Sequence, residues 1–423
     1  MDEIRFLHAA DLHLDSPFVG IRSTAPEAVR ARLLSATFEA YEALVSLAIA
    51  ERVDAVLIAG DVYDGADRSL RAQLAFVAGL ERLSVAGIRS FICHGNHDPL
   101  DGWDAGLALP PLAHRFGPEV EAVPLDPANP GRATVYGISY ATRQVHTNLV
   151  PRFIRDGQSR FAIGLLHANV GSDTGHESYA PCTIEDLARS GMDYWALGHV
   201  HTRQVLRPSG PVAVYPGNTQ GRQPNETGAH GAYLVTVDGT GACRLDFRAL
   251  DVARWEQIEV GLADARDFSH ALELIDRAVG DAIEAADGRS LIYRLNLLGR
   301  TNLYDDLLHG STLEDLQGSL NGEWAGRGQF AWCERIGHSL RPEFDREAAL
   351  AGGDFLAELL AGVDAIRSDP ADLAALQSAL EPLYGSDRAR KVLRELRPDG
   401  EALVQLLAAA ENECIDRLQG VHA

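Results

Sequence analysis

Five short apolar segments in the first half of the chain each end in a cluster of aspartate, asparagine or histidine. No other feature constrains the fold as much. The segments run into Asp11-Leu12-His13, Gly60-Asp61-Val62-Tyr63-Asp64, Gly95-Asn96-His97-Asp98, His167-Ala168-Asn169 and Gly198-His199-Val200-His201. Each apolar run is short and bounded by polar residues, so each reads as a buried strand. Open α/β sheets gather their ligands at the carboxyl ends of the strands. Five such ends converging on one edge make a single site.

The intervening segments agree with an α/β fold. Residues 3–10, 53–60 and 88–94 read as strands, and residues 70–86 read as a helix. Residues 25–51 read as a long helix with Leu33, Leu34, Phe38, Tyr41 and Leu44 at helical spacing. That order predicts a mostly parallel sheet. After residue 110 short strands dominate, at 134–140, 161–167, 194–198, 212–215 and 232–237, with one helix at 183–190. Strands at 255–260 and 291–298 flank an amphipathic helix at about 268–286. From about residue 342 the pattern is helical, at 354–367, 372–380, 388–396 and 401–418. No internal repeat is visible. Three regions follow: 1–250, 251–340 and 341–423.

The cluster chemistry points to divalent cations. Alternate residues of an extended segment share a face, so Asp11 and His13 can meet one ion while Leu12 packs inward, and His199 and His201 can do the same around Val200. Glycines before Asp61, Asn96 and His199 permit sharp turns and a close approach of backbone to a substrate. Mixed Asp, Asn and His donors suit Mn²⁺, Fe²⁺ or Zn²⁺. With 40 glycines and 15 histidines in 423 residues, Gly-His-x-His is expected by chance only about 0.05 times. The five cysteines are scattered without metal or redox spacing, which fits free thiols in a reducing cytoplasm.

Charge narrows the partners. The formal net charge is −22, from 38 basic and 60 acidic residues. A surface this acidic does not grip nucleic acid by its overall field. The acidity is uneven, with 29 acidic and 22 basic residues in 1–254 against 31 and 16 in 255–423. Lys391 is the single lysine, which reads as codon bias. No apolar run approaches the roughly 20 residues of a membrane span, and the N-terminus lacks a signal-peptide pattern. The expectation is a cytoplasmic protein without a membrane partner.

In order and spacing, the five clusters resemble the motifs of the calcineurin-like metallophosphoesterases. The opening Phe6-Leu7-His8-Ala9-Ala10-Asp11-Leu12-His13-Leu14-Asp15-Ser16-Pro17-Phe18 is similar to the SbcD/YhaO-type DNA-repair exonucleases, as is Tyr215-Pro216-Gly217-Asn218. The resemblance spans about residues 4–220. It implies a sandwich of two mixed β-sheets flanked by helices, a small α+β capping domain and a helical C-terminal region. It also implies two divalent ions, Mn²⁺ first, with Fe²⁺, Zn²⁺ or Mg²⁺ as alternatives. Asp11, His13, Asp61 and His201 would hold one ion; Asp61, Asn96, His167 and His199 would hold the other. His97 matches the catalytic histidine and Asp64 its orienting partner, a position that is often histidine in archaeal and eukaryotic relatives. Family position further implies DNA as substrate and an SbcC/YhaN-type coiled-coil ATPase bound by the C-terminal helices. Relatives often form homodimers.

Two-metal chemistry would lower the pKa of a bridging water and neutralise charge in an in-line displacement. Three functions compete: a DNA exonuclease, with or without endonuclease activity; a phosphatase or phosphodiesterase of nucleotides or other small molecules; and a non-catalytic scaffold. Among other residues, Asn169 can touch substrate or shape a turn, and Arg222 can contact phosphate or be a surface arginine. Asp15 can support the site or cap a helix. Trp103 can stack on a base or pack under a loop. His8 and His94 read as core histidines, and His176 and His230 have no motif support.

Overall fold

The computed structural model describes residues 3–21, 25–171, 179–322, 329–384, 397–398 and 400–418. The helix expected at 388–396 and His176 lie outside the described residues.

The first part of the chain contains β1 (Ile4–Ala9), α1 (Glu27–Glu51), β2 (Ala55–Ala59), α2 (Leu70–Val85), β3 (Arg89–Cys93), β4 (Ala113–Arg115), β5 (Glu121–Pro124), β6 (Ala133–Gly137), β7 (Phe161–His167), α3 (Ile184–Arg189), β8 (Tyr194–Gly198), β9 (Gln204–Arg207), β10 (Val212–Tyr215), β11 (Gly231–Val237) and β12 (Cys243–Ala249). They form two six-stranded sheets, ordered β12-β11-β1-β2-β3-β4 and β5-β6-β7-β8-β10-β9. This is the calcineurin-like sandwich of two mixed sheets flanked by helices. The parallel expectation holds for the centres, β1-β2-β3-β4 and β6-β7-β8-β10. Antiparallel β5, β9, β11 and β12 complete the edges. The short, half-exposed edge strand β9 carries little apolar signal, whereas β12, whose Cys243, Leu245 and Phe247 alternate with charged residues, shows the pattern of a one-face-buried antiparallel strand.

Alternation sets the layers. Phe6 and Leu57 face the inter-sheet core with Phe91, Val135, Ile163, Leu165, Tyr194 and Val214. Leu7, Val56 and Ile58 face the other way, against Tyr41, Leu44 and Val45 of α1 and Phe76 and Leu80 of α2. Both faces of these strands are buried, which explains their unbroken apolar runs. Helix α1 is long and apolar enough to cross a membrane by length and composition, which corrects the expectation that no run comes close. Nine of its residues are instead buried in this protein. On the second sheet's outer face, Trp195, Leu166 and Tyr215 pack with Leu187 of α3. Thr183 and Asp186 form a reciprocal capping box at the start of α3.

Beyond residue 250 come β13 (Ala253–Gly261), α4 (Phe268–Ala285), β14 (Ser290–Thr301), α5 (Tyr304–Leu308), α6 (Thr312–Gly322) and β15 (Ala331–Pro342), with the strands in one sheet ordered β13-β14-β15. Then follow α7 (Arg346–Ala351), α8 (Phe355–Ser368), α9 (Pro370–Leu380) and α10 (Gly400–Leu418). The chain divides into two compact units. One comprises Met1–Ile258, Arg277–Asn296 and Glu314–Gly337; the other comprises Glu259–Asp276, Leu297–Leu313 and His338–Ala423. In the first, Trp255, Ile292 and Phe330 pack with Val29 and Leu33. In the second, Leu360, Leu403 and Ile415 are buried.

Candidate metal centre

Parallel pairing puts the carboxyl ends of β1, β2 and β3 side by side, and likewise those of β7 and β8, where His167 pairs with Gly198. All five polar clusters begin where these strands stop. The backbone there is not extended, contrary to the alternation argument. Asp11 (φ 51°), His13 (φ 43°), Asp61 (φ 49°) and His199 (φ 104°) are four of the nine non-glycine residues with positive φ among the described residues. Asp, Asn and His are the L-residues that tolerate this region best, and such strain gathers at functional sites. Backbone bonds from Asp11 to Gly60, His13 to Asp61 and Leu14 to Val62 hold the first loop along the second.

The glycines approach protein, not an open substrate path. A Cβ on Gly60 would lie 2.3 Å from His167 Nδ1. On Gly95 it would lie 2.3 Å from Asp61 Oδ1 and 2.7 Å from His167 Nε2, and on Gly198 it would lie 1.7 Å from the Ala59 carbonyl. These three glycines make room for the His167 ring between two sheet edges. The expectation of a close backbone approach to substrate is corrected accordingly.

The ligand-type atoms then converge. Asp11, His13 and His201 offer donor atoms within 4.8 Å of one another, as do Asp11, Asp61 and His167. His13 Nε2 is 3.2 Å from His201 Nε2, the spacing of two nitrogens each about 2.1 Å from one shared ion. His167 Nδ1 lies 3.0 Å from the Ala59 carbonyl, and its Nε2 lies 3.0 Å from Asn96 Oδ1 and 3.3 Å from Asp61 Oδ2. A ring donating to Ala59 turns its other nitrogen toward two oxygen acceptors, an arrangement that calls for a cation. The His199 backbone N–H donates to both oxygens of Asp11 at 3.1 Å, and its ring stacks edge-on with His167.

The electrostatics say the same. Burial raises the Asp11 carboxyl to about 6, moderated by His167 and His201. Burial lowers His13 to about 4, helped by the Arg222 charge, which leaves a neutral ring with a lone pair to give. Burial works to lower His167, but the Asp61 charge and hydrogen bond and the Asp11 charge push it up to about 9. The protein's own imidazole thus serves as counter-cation to buried carboxylates. The donor set fits divalent metal ions, which prefer such mixed imidazole and oxygen ligands.

Asp64 is a junction. Its Oδ1 lies 3.0 Å from His13 Nδ1 and 2.6 Å from His97 Nδ1; its Oδ2 accepts from Ser16 Oγ at 2.5 Å and lies 3.6 Å from Arg222 Nη1. Burial would raise its carboxyl, but the His13 and His97 hydrogen bonds hold it far below the carboxylate range. His97 has a side chain 40% exposed. Burial tends to lower it, and the Asp64 hydrogen bond with the Asp61 and Asp64 charges raises it above an ordinary histidine. Asp64, Asn96 and His97 line a cavity of about 490 Å³ with Arg143, Arg222, Pro17 and Val19. Arg222 is only 11% exposed there, so it is not a surface arginine.

The remaining candidates separate. Asn169 is buried, its backbone tied to Tyr179 and Cys182, and it does not line this cavity. Asp98 accepts from Val62 N, Gly95 N and His94 Nδ1, so it braces the loops. His8 is buried between Tyr194 Oη and the Leu197 carbonyl and is lowered to about 3 by burial. Asp15 accepts from Ser69, the N-cap of α2. Half-exposed Trp103 accepts from Gln73 through its carbonyl. His230 bonds the Glu226 carbonyl. All five cysteines are free.

Glu226, Ser16 and the brace made by Asp98 escape sequence reading. Glu226 is 5% exposed and lies 2.7 Å from His201 Nδ1. Burial would raise its carboxyl; the His201 hydrogen bond and charge and the Arg222 N–H hold it well below the usual range. A lone glutamate 25 residues beyond a histidine has no spacing that marks it.

Residues 4–203 match the calcineurin-like phosphoesterase family, and residues 255–341 match the middle domain of the metallophosphoesterase YhaO. The chain is 37% identical over 378 residues to an uncharacterized metallophosphoesterase, YhaO, of Bacillus subtilis, covering 88% of this chain and 90% of that protein. It is 26% identical over 211 residues to the DNA double-strand break repair protein Mre11 of Sulfurisphaera tokodaii, covering 50% of this chain and 52% of that one. It is 24% identical over 296 residues to one component of the nuclease SbcCD of Bacillus subtilis, covering 60% of this chain and 69% of that one. With this similarity along most of its length and its histidines and carboxylates gathered at the carboxyl ends of strands from both sheets, the chain belongs to the calcineurin-like metallophosphoesterases, hydrolases that work with divalent metal ions.

Proposed function

We propose that this chain is a metal-dependent DNA phosphodiesterase, an exonuclease that acts with an SbcC/YhaN-type coiled-coil ATPase. One observation carries the reading: the cavity lined by Asp64, Asn96 and His97 also carries Arg143 and Arg222. Its volume of about 490 Å³ lies within the roughly 300–1,000 Å³ of small-ligand sites, enough for a nucleotide unit. Asp11, His13, Asp61 and His201 would hold one ion, and Asp61, Asn96, His167 and His199 the other, with Mn²⁺ first by family resemblance among the ions these donors suit. When bound, such a pair activates water and offsets charge on a transferring phosphate.

The chain's own residues do the rest. Arg222 and Arg143 pair with phosphate oxygens. Asp64 accepts from His97 Nδ1 and so orients the ring. His97, held above an ordinary histidine, gives a proton to the leaving oxygen. Asp64 also fixes His13, so one carboxylate aligns a ligand and the proton donor together. Large apolar residues left exposed in the helical region, Phe355 and Leu406, support a partner there.

The test is an Mn²⁺-dependent assay on single-stranded DNA, duplex DNA and bis-p-nitrophenyl phosphate, with and without the ATPase. Cleavage of DNA is the expected result. Cleavage of the small ester alone, even with the partner present, would shift the assignment to a small-molecule phosphodiesterase.

A further inference from the structure

The loop after β10 delivers a buried carboxylate whose partners are all donors. Glu226 Oε1 accepts from His201 Nδ1 at 2.7 Å and from Gln223 Nε2 at 2.9 Å. Its Oε2 accepts from Asn218 Nδ2 at 3.0 Å and from the Arg222 backbone N–H at 2.6 Å. An ionised carboxylate has about four acceptor positions, and four donors fill them. A neutral acid would have to turn a hydroxyl toward one of those donors. His201 Nδ1 therefore carries a proton, and Nε2, the nitrogen 3.2 Å from His13 Nε2, is the one turned toward the site.

The loop is shaped for this delivery. Gly217 has φ +79°, and a Cβ there would lie 2.6 Å from the His201 carbonyl. A Cβ on Gly221 would lie 2.8 Å from the Glu226 carbonyl. Asn218 N–H donates to the His201 carbonyl at 3.3 Å. Tyr215 Oη bonds the Ala168 carbonyl and the Val170 N–H, fastening the same loop to the segment after His167. Tyr215-Pro216-Gly217-Asn218 is thus the start of a clasp around His201.

We propose that Glu226 is a positioning residue that sets the tautomer and orientation of His201 toward a divalent ion and, through the Arg222 N–H, seats Arg222 in the cavity. This rests on the reading of His201 as a metal ligand. A carboxylate behind a ligating histidine fixes its ring, and losing it typically weakens metal affinity about 10–100-fold. In Glu226→Gln an amide NH₂ must face at least one of the four donors, so the clasp loses its fit.

The test uses the full chain and Mn²⁺ titrated calorimetrically into wild type, Glu226→Gln and Asn225→Ala, an exposed position of the same loop. The expected result is an about 10–100-fold weaker step for one ion in Glu226→Gln, near-native affinity for the other, a raised KM, and near-native binding in Asn225→Ala. Equal losses in both variants would mean a merely structural loop and would overturn the proposal, as would unchanged binding in Glu226→Gln. Should Glu226→Gln fail to fold, ¹⁵N spectra of histidine-labelled wild type at about pH 8 still decide, since an ordinary histidine is neutral there. An Nδ1–H His201 supports the assignment, and any other state overturns it. A wild type that binds no divalent ion would overturn the site assignment itself and this inference with it; normal wild-type binding with unaltered Glu226→Gln overturns this inference alone.

Discussion

Buried carboxylates are treated in two ways in this molecule. In the helical unit each is met by the chain's own arginines. Glu411 of α10 takes Arg346 at 2.9 Å and Arg367 at 2.6 Å, and Asp416 takes Arg300 at 2.8 Å and Arg341 at 2.5 Å. At the sandwich edge, Asp11 and Asp61 are also buried, and the ion pairs around them come from His167, with the neutral His13 ring 4.0 Å from Asp61. Arginine cannot give up its charge, so the helical network is permanently neutralised. Histidine can, so the sandwich edge can trade its own protons for cations from solution. The first arrangement stabilises a fold, and the second suits exchangeable cations and the chemistry they bring.

Four experiments test that contrast. The largest effect falls on turnover: His97→Asn lowers kcat by about 10²–10⁴-fold, the range for losing a positioned acid, while two Mn²⁺ still bind by calorimetry. Fewer than two bound ions would move His97 into the cation-binding set. Next, each bound Mn²⁺, at about 100 times its Kd, stabilises the sandwich by about 2.7 kcal/mol and leaves unfolding of the helical unit unchanged. Denaturant melts followed by probes in each unit check this.

Glu411→Gln is the opposite case. It destabilises the helical unit by about 1–2 kcal/mol, the range for charge-assisted hydrogen bonds discounted for half-exposed arginines. Mn²⁺ affinity and cleavage of bis-p-nitrophenyl phosphate stay as in wild type. A loss of metal binding in this variant would erase the distinction between the two kinds of carboxylate.

The smallest effect is a shift in pH dependence. A proton donor at His97 is charged below its raised pKa, so activity falls as pH rises through that value. Asp64→Asn removes the main hydrogen bond that raises it. The alkaline limb then moves toward the ordinary histidine value of about 6.5, read from a pH–rate profile. An unmoved limb would assign that limb to another group.

Much of the architecture is local and therefore legible. Buried strands β1, β2, β3, β7 and β8 are apolar on both faces, and each ends in a polar cluster, so pattern and motif coincide. Antiparallel β12, whose Cys243, Leu245 and Phe247 alternate with Arg244, Asp246 and Arg248, carries a period-two signal that goes unread, and β9 is a short, half-exposed edge. The Gly before each of three clusters is visible, but its reason is not. Only the folded chain shows that Gly60, Gly95 and Gly198 clear space for His167, a residue on a different strand from each of them.

Local sequence was enough to reveal the family, the strands that end at the site and the residue types available there, because spacing within a motif is a short-range property; how those strands divide between two sheets emerged only in the fold. How those residues serve one another was settled by packing in three dimensions. Asp64 reaches back 51 residues to His13, Glu226 reaches 25 to His201, and Ala59 orients His167 across 108. Such partners are chosen by the packing of two sheets and a loop. A side chain's hydrogen-bond partner depends on distance in space, and a linear pattern carries that distance only for near neighbours.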